Sequence, residues 1–213
     1  MSDKILYRGK LFQVIKRSKE SRFLTEDAAG KSHEVKKELT FELVRRPPGV
    51  RAIIVKDGKL LLNKEYRYEL EDWDYRLPGG KVFDSAEEFE KAMEEENAGR
   101  EYVRRAAQDK LAEEILEEAD IKVEDFRLFG ISGCGLTVEW DLYYFVVDKF
   151  EIMPSFYDRD MQKSEYEYIS HIWVGFDMLE ELIFKGKIRE DRSIAMIFKY
   201  MAKQRCKAIE PDY

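Results

Sequence analysis

The chain has 213 residues, of which 44% are hydrophobic and 38% are charged, and its formal net charge is −7. This composition excludes a disordered chain, and no apolar run reaches the length of a membrane-spanning helix. The negative charge argues against a broad nucleic-acid-binding surface. We expect a compact cytoplasmic protein, because no signal-peptide core follows the first residues.

The N-terminal residues are predicted to form a small antiparallel β-sheet. Short β-prone runs lie at residues 5–7, 11–15 and 41–44, with a turn signal at residues 28–32. Pro47 and Pro48 mark the end of this region, since consecutive prolines continue neither a strand ladder nor a helix. We therefore divide the chain into an N-terminal β region at 1–48 and a larger domain at 49–213.

The larger domain is predicted to begin with a β-hairpin that leads into a glycine loop. The hairpin strands lie at residues 50–55 and 60–66. The loop reads Leu-Pro-Gly-Gly-Lys at residues 77–81. Residues 84 to about 110 are rich in Glu, Lys, Arg and Ala, which predicts a solvated helical insertion that breaks near residues 97–99 and that could lengthen the acidic helix after it.

An acidic helix follows this insertion. Glu114, Glu117 and Glu118 are separated by three, four and one positions, so their carboxylates project from one flank of the helix. Three anions there repel one another unless a cation binds between them. Carboxylates are hard oxygen ligands that suit Mg²⁺ or Mn²⁺, and such ions also bind substrate phosphates. The alternative is an ordinary charged, solvated helical face.

The rest of the chain is predicted to alternate strands and helices. One strand is predicted at 138–147, another at 169–174, and helices at 176–183 and 193–200. His171 lies in an apolar strand, so we interpret it as a hydrogen-bonded structural residue. Cys134 and Cys206 match no metal-binding spacing and are predicted to be free thiols.

The glycine loop and the acidic helix together resemble the signature of the Nudix hydrolases. That signature ends in a helix reading Arg-Glu-apolar-any-Glu-Glu-any-Gly-apolar, and residues 113–121 here read Glu-Glu-Ile-Leu-Glu-Glu-Ala-Asp-Ile. The resemblance implies an α/β (α+β) fold, a Nudix α/β/α sandwich with a mixed sheet, beside the small N-terminal antiparallel domain. The metal ligands that it implies are Glu114, Glu117, Glu118 and the carbonyl of Gly79.

The sequence departs from this signature in three places. Glu113 stands where the family has arginine, and Asp120 stands where it has glycine. The family's arginine supports the acidic side chains, so Arg104, Arg105 or Lys110 would have to supply the missing positive charge. The spacing between the glycine loop and the acidic helix is also longer, by about nineteen residues.

An N-terminal sheet before the glycine loop resembles the ADP-ribose pyrophosphatase branch of this family. The resemblance implies metal-dependent hydrolysis of ADP-ribose or a nucleoside diphosphate sugar, and a homodimer built by the N-terminal region. Arg67 matches the branch's Tyr-Arg motif as a phosphate or ribose contact, although an ion pair with Glu65 or Glu69 is an equal alternative. The candidate substrate-binding residues are Arg67, Arg51, Gly80 and Arg76.

In the same branch, a glutamate from a mobile loop orients or deprotonates the attacking water. Glu165 and Glu167 lie near the matching position. Two alternatives remain. The chain could be a Nudix-fold nucleotide-binding or interaction protein whose turnover is impaired, or a hydrolase of another diphosphate, such as a capped nucleotide or a dinucleoside polyphosphate.

Overall fold

The structure is a computed structural model that describes residues 2–27, 30–95, 99–154 and 169–209. The described segments form ten strands and four helices. The strands are β1 (Ser2–Arg8), β2 (Gln13–Glu26), β3 (Ser32–Arg45), β4 (Gly49–Lys56), β5 (Lys59–Arg67), β6 (Asp72–Arg76), β7 (Ile121–Ser132), β8 (Val138–Glu139), β9 (Leu142–Ile152) and β10 (Ile169–Gly175). The helices are α1 (Ala86–Glu95), α2 (Arg100–Ala119), α3 (Phe176–Phe184) and α4 (Asp191–Ile209).

The chain divides into two compact units. The first contains Met1–Pro48, Phe83–Gly99 and Gly133–Asp141, and the second contains Gly49–Val82, Arg100–Ser132 and Leu142–Tyr213. The first unit therefore combines the N-terminal region with α1 and β8. The domain limits at 1–48 and 49–213 stay a prediction.

The first unit is built on a four-stranded sheet with the order β1-β2-β3-β8. β2 and β3 pair antiparallel over their full length, from Gln13↔Arg45 to Glu26↔Ser32. β8 adds to β3 in parallel. An ion-pair cluster connects all four strands: Asp3 on β1 accepts from Arg17 on β2 and from Arg45 on β3 at 2.8 Å, and Arg45 also donates to Glu139 on β8 at 2.9 Å.

The second unit contains a six-stranded mixed sheet with the order β10-β5-β4-β9-β7. The sixth strand, β6, pairs with the C-terminal half of β5, from Asn63 to Arg67. β4 and β9 run parallel, whereas the other pairs are antiparallel. The first six residues of β4 and the first six of β9 are buried, which explains the largely apolar sequence of these parts of the two strands. The prediction of a mixed α/β fold with an N-terminal antiparallel sheet is confirmed.

Two sequence expectations about these elements were wrong. The predicted strand at 138–147 is divided, because β8 pairs with β3 while β9 pairs with β4 and β7. The segment predicted as a solvated insertion is also not uniformly solvated. Residues 100–110 do lengthen the acidic helix as anticipated, but α2 buries a stripe at four-residue spacing. That stripe consists of Val103, Ala107, Leu111 and Ile115.

In the described segments no helix combines the length and the apolar character needed to cross a membrane.

Candidate metal and phosphate site

The glycine loop is fixed to β4 by backbone hydrogen bonds. The amide of Ala52 donates to the Pro78 carbonyl at 2.8 Å, and the amide of Val50 donates to the Gly80 carbonyl at 3.0 Å. Between them Gly79 has a φ of 139°, and a Cβ at this position would collide with the Val50 carbonyl oxygen. Only glycine fits such a close approach of two backbones. The carbonyls on either side of Gly79 are therefore both used in pairing with β4.

The carboxylate of Glu114 lies directly against this loop. A Cβ on Gly80 would lie 2.5 Å from Glu114 Oε1 and 2.6 Å from its Cδ. Burial raises the pKa of Glu114, and the nearby charge of Glu117 raises it further, while Lys110 acts in the opposite direction. The fold thus brings Glu114 onto the glycine loop, and its role as a metal ligand stays a prediction.

Lys110 supplies positive charge near the position where the family signature has arginine. Its ammonium lies 3.4 Å from Glu113 Oε2 and 3.6 Å from Glu114 Oε1. Desolvation lowers the pKa of Lys110, but the surrounding carboxylates outweigh it and raise that pKa overall. Of the other two candidates, Arg104 pairs with Glu101 at 2.6 Å. The extra carboxylate of Glu113 is therefore compensated by a lysine one turn earlier on α2.

Glu118 is held by two residues of the neighbouring strands. Asn63 on β5 donates from Nδ2 to Glu118 Oε2 at 2.9 Å. His171 on β10 lies 3.0 Å from Asn63 Oδ1 through Nδ1, and its Nε2 hydrogen-bonds to the backbone carbonyl of Glu118. Burial raises the pKa of the Glu118 carboxyl to about 7, with a smaller lowering effect from Asn63. His171 is thus hydrogen-bonded through both ring nitrogens, in agreement with its interpretation as a structural residue.

Asp120 ends the acidic helix in a backbone conformation that explains the family's glycine. Its φ is 52°, in the left-handed region that side chains other than Gly, Asn and Asp rarely adopt. Its carbonyl accepts a hydrogen bond from Met153 at 2.8 Å. Aspartate is one of the few replacements that this position tolerates.

Arg51, a predicted substrate contact, is engaged by other protein groups. Its Nε and Nη2 donate to the two carboxylate oxygens of Glu190 at 3.0 and 3.1 Å, and its Nη1 donates to the Val50 carbonyl at 2.9 Å. Only 7% of the residue is exposed. A substrate phosphate could reach this guanidinium only in competition with Glu190.

Arg67 and Arg76 lie on the face of β5 and β6 that also carries Asn63. Arg76 is directly opposite Asn63, and Arg67 follows it on β5 by four residues, so the three side chains share one face. Arg67 pairs with Glu65 at 3.0 Å, and Arg76 donates from Nε to Asp74 at 3.1 Å. The predicted ion pair of Arg67 is therefore present, and its side chain remains 26% exposed.

The donor chemistry suits a hard cation, although the carboxylates are not gathered into one cluster. Within the described residues, no group of three or more Asp, Glu, His or Cys side chains is placed to hold a single metal ion. Glu117 is exposed, whereas Glu114 and Glu118 are partly buried. After the larger effect of burial, the negative charge of Glu114 also raises the pKa of Glu118. Two carboxylates are enough for Mg²⁺, which usually keeps several waters and binds substrate phosphate. Glu165 and Glu167 lie outside the described residues.

Two polar partners of the site were not anticipated from the sequence. Asn63 directly follows the apolar run Leu60-Leu61-Leu62 and is only 3% exposed. A polar residue within a strand of the core needs a hydrogen-bond partner, and this position in the sequence could have indicated one. Glu190 lies in a loop before α4 and gives no comparable local signal, because its pairing with Arg51 depends on tertiary structure.

Comparison with known proteins supports the fold. No protein-family model matches the sequence, and no curated protein matches it either. A solved structure described as an ADP compounds hydrolase covers 96% of this chain and 96% of its own, with a TM-score of 0.53 and 15% identity. The likeness establishes a shared fold. A MutT Nudix hydrolase from Burkholderia pseudomallei also matches, covering 62% of this chain and 84% of its own, with 25% identity and a TM-score of 0.40.

Proposed function

We propose that the protein hydrolyses the pyrophosphate bond of ADP-ribose or a related nucleoside diphosphate sugar. The products would be a nucleoside monophosphate and a sugar phosphate. The reaction would depend on Mg²⁺ or Mn²⁺ held by Glu114, Glu118 and Glu117 together with the Gly79 carbonyl.

One observation carries this proposal: the fold brings the two halves of the sequence signature together. Glu114 on α2 packs against Gly80, and the loop that contains Gly80 is fixed to β4. A glutamate that served only as a solvated helical residue would have no reason to be partly buried against a glycine backbone. Burial raises the pKa values of Glu114 and Glu118, and a positive charge beside them would favour their ionised forms, which supports a cation at this place.

The protein groups have distinct roles in the proposed reaction. Glu114 and Glu118 would provide oxygen ligands to a divalent cation, which would supply neutralisation of the pyrophosphate charge and activation of water. Lys110 offsets the repulsion between Glu113 and Glu114. Glu165 or Glu167 would orient or deprotonate the attacking water.

The choice of substrate rests on the arginines and on the solved relative. Arg67 and Arg76 lie on the same sheet face as Asn63, and Asn63 donates to Glu118. The two arginines are therefore on the side of the sheet where a phosphate beside Glu118 would bind. A guanidinium can bind phosphate through two nitrogens at once. The structurally similar protein is described as acting on ADP compounds, which favours an ADP-linked substrate. Arg51 and Gly80 remain predicted contacts.

The alternative function is nucleotide binding without turnover. It is favoured by the absence, in the described part of the chain, of a preformed three-carboxylate cluster and by the exposure of Glu117. This protein would bind the same diphosphate and retain it unchanged. Hydrolysis of another diphosphate, such as a capped nucleotide, is the remaining possibility.

A product assay separates these functions. The protein would be incubated with ADP-ribose, several nucleoside diphosphate sugars, a capped nucleotide and a dinucleoside polyphosphate, with Mg²⁺ or Mn²⁺ and with a chelator. We expect AMP and ribose 5-phosphate from ADP-ribose, and no product with the chelator. Binding of ADP-ribose without any product would establish the nucleotide-binding function instead.

We also propose that the N-terminal sheet forms a homodimer with a second copy of the chain. Phe23 and Val35 are opposite each other on the β2–β3 ribbon, and Phe41 shares their face; each is more than two-fifths exposed. Beyond the residues paired with β1 and β8 the ribbon has only two strands, and such a ribbon is marginally stable in water unless it packs against another surface. A cytoplasmic location and the lack of a broad nucleic-acid surface stay predictions.

Light scattering tests this assembly. The wild-type protein should have the mass of a dimer, and Phe23→Asp should shift it to a monomer. Arg22→Ser on the opposite face of the same strand is the matched control and should remain dimeric. A monomeric wild-type protein would exclude the proposed interface.

A further inference from the structure

His171 contacts Glu118 by two routes. Its Nε2 hydrogen-bonds to the backbone carbonyl of Glu118, and its Nδ1 contacts the amide of Asn63, whose nitrogen donates to the Glu118 carboxylate. One imidazole therefore determines the position of both the main chain and the side chain of the same glutamate.

The sheet register makes this arrangement rigid. His171 on β10 is directly opposite Asn63 on β5, and Arg76 on β6 is opposite Asn63 from the other side. Asn63 is thus in the interior of the sheet at this point, and 3% of it is exposed. Its amide has little freedom to turn away from the Glu118 carboxylate.

The backbone contact occurs at the C-terminal end of α2. Glu118 is the penultimate residue of this helix, where carbonyls lack partners within the helix. The Glu118 carbonyl and the Asn63 Oδ1 only accept hydrogen bonds, so the Nε2–H and the Nδ1–H of His171 are both donors, and the ring carries a hydrogen on each nitrogen. The bond from Nε2 fixes the last turn of α2 at the strand that carries His171.

We propose that Asn63 and His171 are positioning residues that orient the Glu118 carboxylate for the divalent cation. This inference rests on the proposed metal-dependent function. Neither residue would touch the substrate or the cation. Without Asn63, the Glu118 side chain would lose its hydrogen-bond donor and sample other rotamers, so the cation would have to order it on binding.

Substitutions at residue 171 can separate the two contacts. The amide of glutamine reaches approximately the position of Nε2, so His171→Gln keeps the bond to the backbone carbonyl and loses the contact to Asn63. The amide of asparagine reaches approximately the position of Nδ1, so His171→Asn has the opposite effect. Asn63→Ala removes the link to the carboxylate directly, and Ser170→Ala on the adjacent exposed position is the matched control.

The measurements are Mn²⁺ binding to the metal-free protein by electron paramagnetic resonance of the free ion, the melting temperature, and kcat and KM for ADP-ribose. We expect Asn63→Ala and His171→Gln to weaken Mn²⁺ binding by about 10-fold or more, with a lower kcat, because residues that orient metal ligands have effects of this size. KM and the melting temperature of His171→Gln should stay close to those of the wild type. The double variant Asn63→Ala, His171→Gln should bind Mn²⁺ no more weakly than Asn63→Ala alone, because both substitutions break the same connection from His171 through Asn63 to the Glu118 carboxylate.

Two results would overturn the inference in different ways. If the wild type binds Mn²⁺ and hydrolyses substrate, while His171→Gln and Asn63→Ala match it in Mn²⁺ affinity and kcat, the two residues have no positioning role. If the folded wild type neither binds Mn²⁺ nor hydrolyses any substrate, the proposed function itself fails, and the inference fails with it.

Discussion

The carboxylate of Glu114 fills the space that a side chain on Gly80 would need, since a Cβ there would lie 2.5 Å from Oε1. The end of a glutamate side chain can move, so Gly80→Ala should displace Glu114 and leave the fold intact. We expect a loss of at least about 10-fold in Mn²⁺ affinity or activity. Circular dichroism melting beside a Mn²⁺ titration checks this, and unchanged affinity would show that Glu114 does not act from this position.

Gly79 provides the matched comparison on the same loop. A Cβ here would meet the rigid backbone of β4 at Val50, and the φ of 139° is itself strained for any other residue. Gly79→Ala should therefore destabilise the protein by about 3 kcal/mol or more. Urea denaturation measures this, and a stable Gly79→Ala protein would contradict the loop geometry.

The pKa of Glu118 predicts how the stability of the metal-free protein depends on pH. Its pKa rises from 4.5 to about 7 on folding, because burial penalises the carboxylate. The folded state then binds the proton more tightly, so this group contributes stability below pH 4.5 that is lost as the pH rises through about 7.

Replacing Glu118 with glutamine should remove this dependence. In the presence of a chelator we expect Glu118→Gln to be more stable than the wild type by about 1 to 3 kcal/mol at pH 8, with a much smaller gain near pH 4.5. Urea denaturation at the two pH values provides the comparison. An equal effect at both values would show that the Glu118 pKa is not raised.

Lys110 should set the lower pH limit of metal binding. Its positive charge lowers the pKa of Glu114 against the effect of burial. Lys110→Met should raise that pKa further and shift the acidic limit of Mn²⁺ binding upward by about half a pH unit, because a partly exposed ion pair contributes about 1 kcal/mol or less. Lys110→Arg keeps the charge and should bind as the wild type does; a matching shift in both variants would exclude an electrostatic cause.

The ion pair between Arg51 and Glu190 should be a stability determinant. Both groups are largely buried, so Glu190→Ala would leave the guanidinium without its partner and cost about 3–5 kcal/mol. The double variant Arg51→Met, Glu190→Met should recover much of this loss, because no unpaired charge remains. Denaturant titrations of the single and double variants measure the coupling, and additive losses would contradict it.

The sequence predicted the parts of the fold that have strong periodicity or unusual residues. The hairpin of β4 and β5, the glycine loop and the acidic end of α2 were found from apolar runs, paired glycines and glutamate spacing. The long β2–β3 ribbon was underestimated, because its outer halves carry polar residues on both faces and lack the alternation of a half-buried strand.

Features that depend on distant pairing could not be predicted in the same way. Nothing near Glu190 indicates that it binds Arg51, and nothing near His171 indicates that it caps the end of α2. The buried stripe of α2 was missed because Ala107 is small and lies among charged residues, so the sequence appeared solvated. These contacts arise only when the sheet and the helices are assembled.

The most direct test of the account is AMP release from ADP-ribose with Mn²⁺ by Glu114→Gln, Glu118→Gln and Glu113→Gln proteins. Glu113 is an exposed neighbour on the same helix and provides the matched control. We expect the first two variants to lose activity by at least about 100-fold and the third to remain within a few-fold of the wild type. Full activity in either Glu114→Gln or Glu118→Gln would contradict the assignment of these carboxylates as the metal ligands.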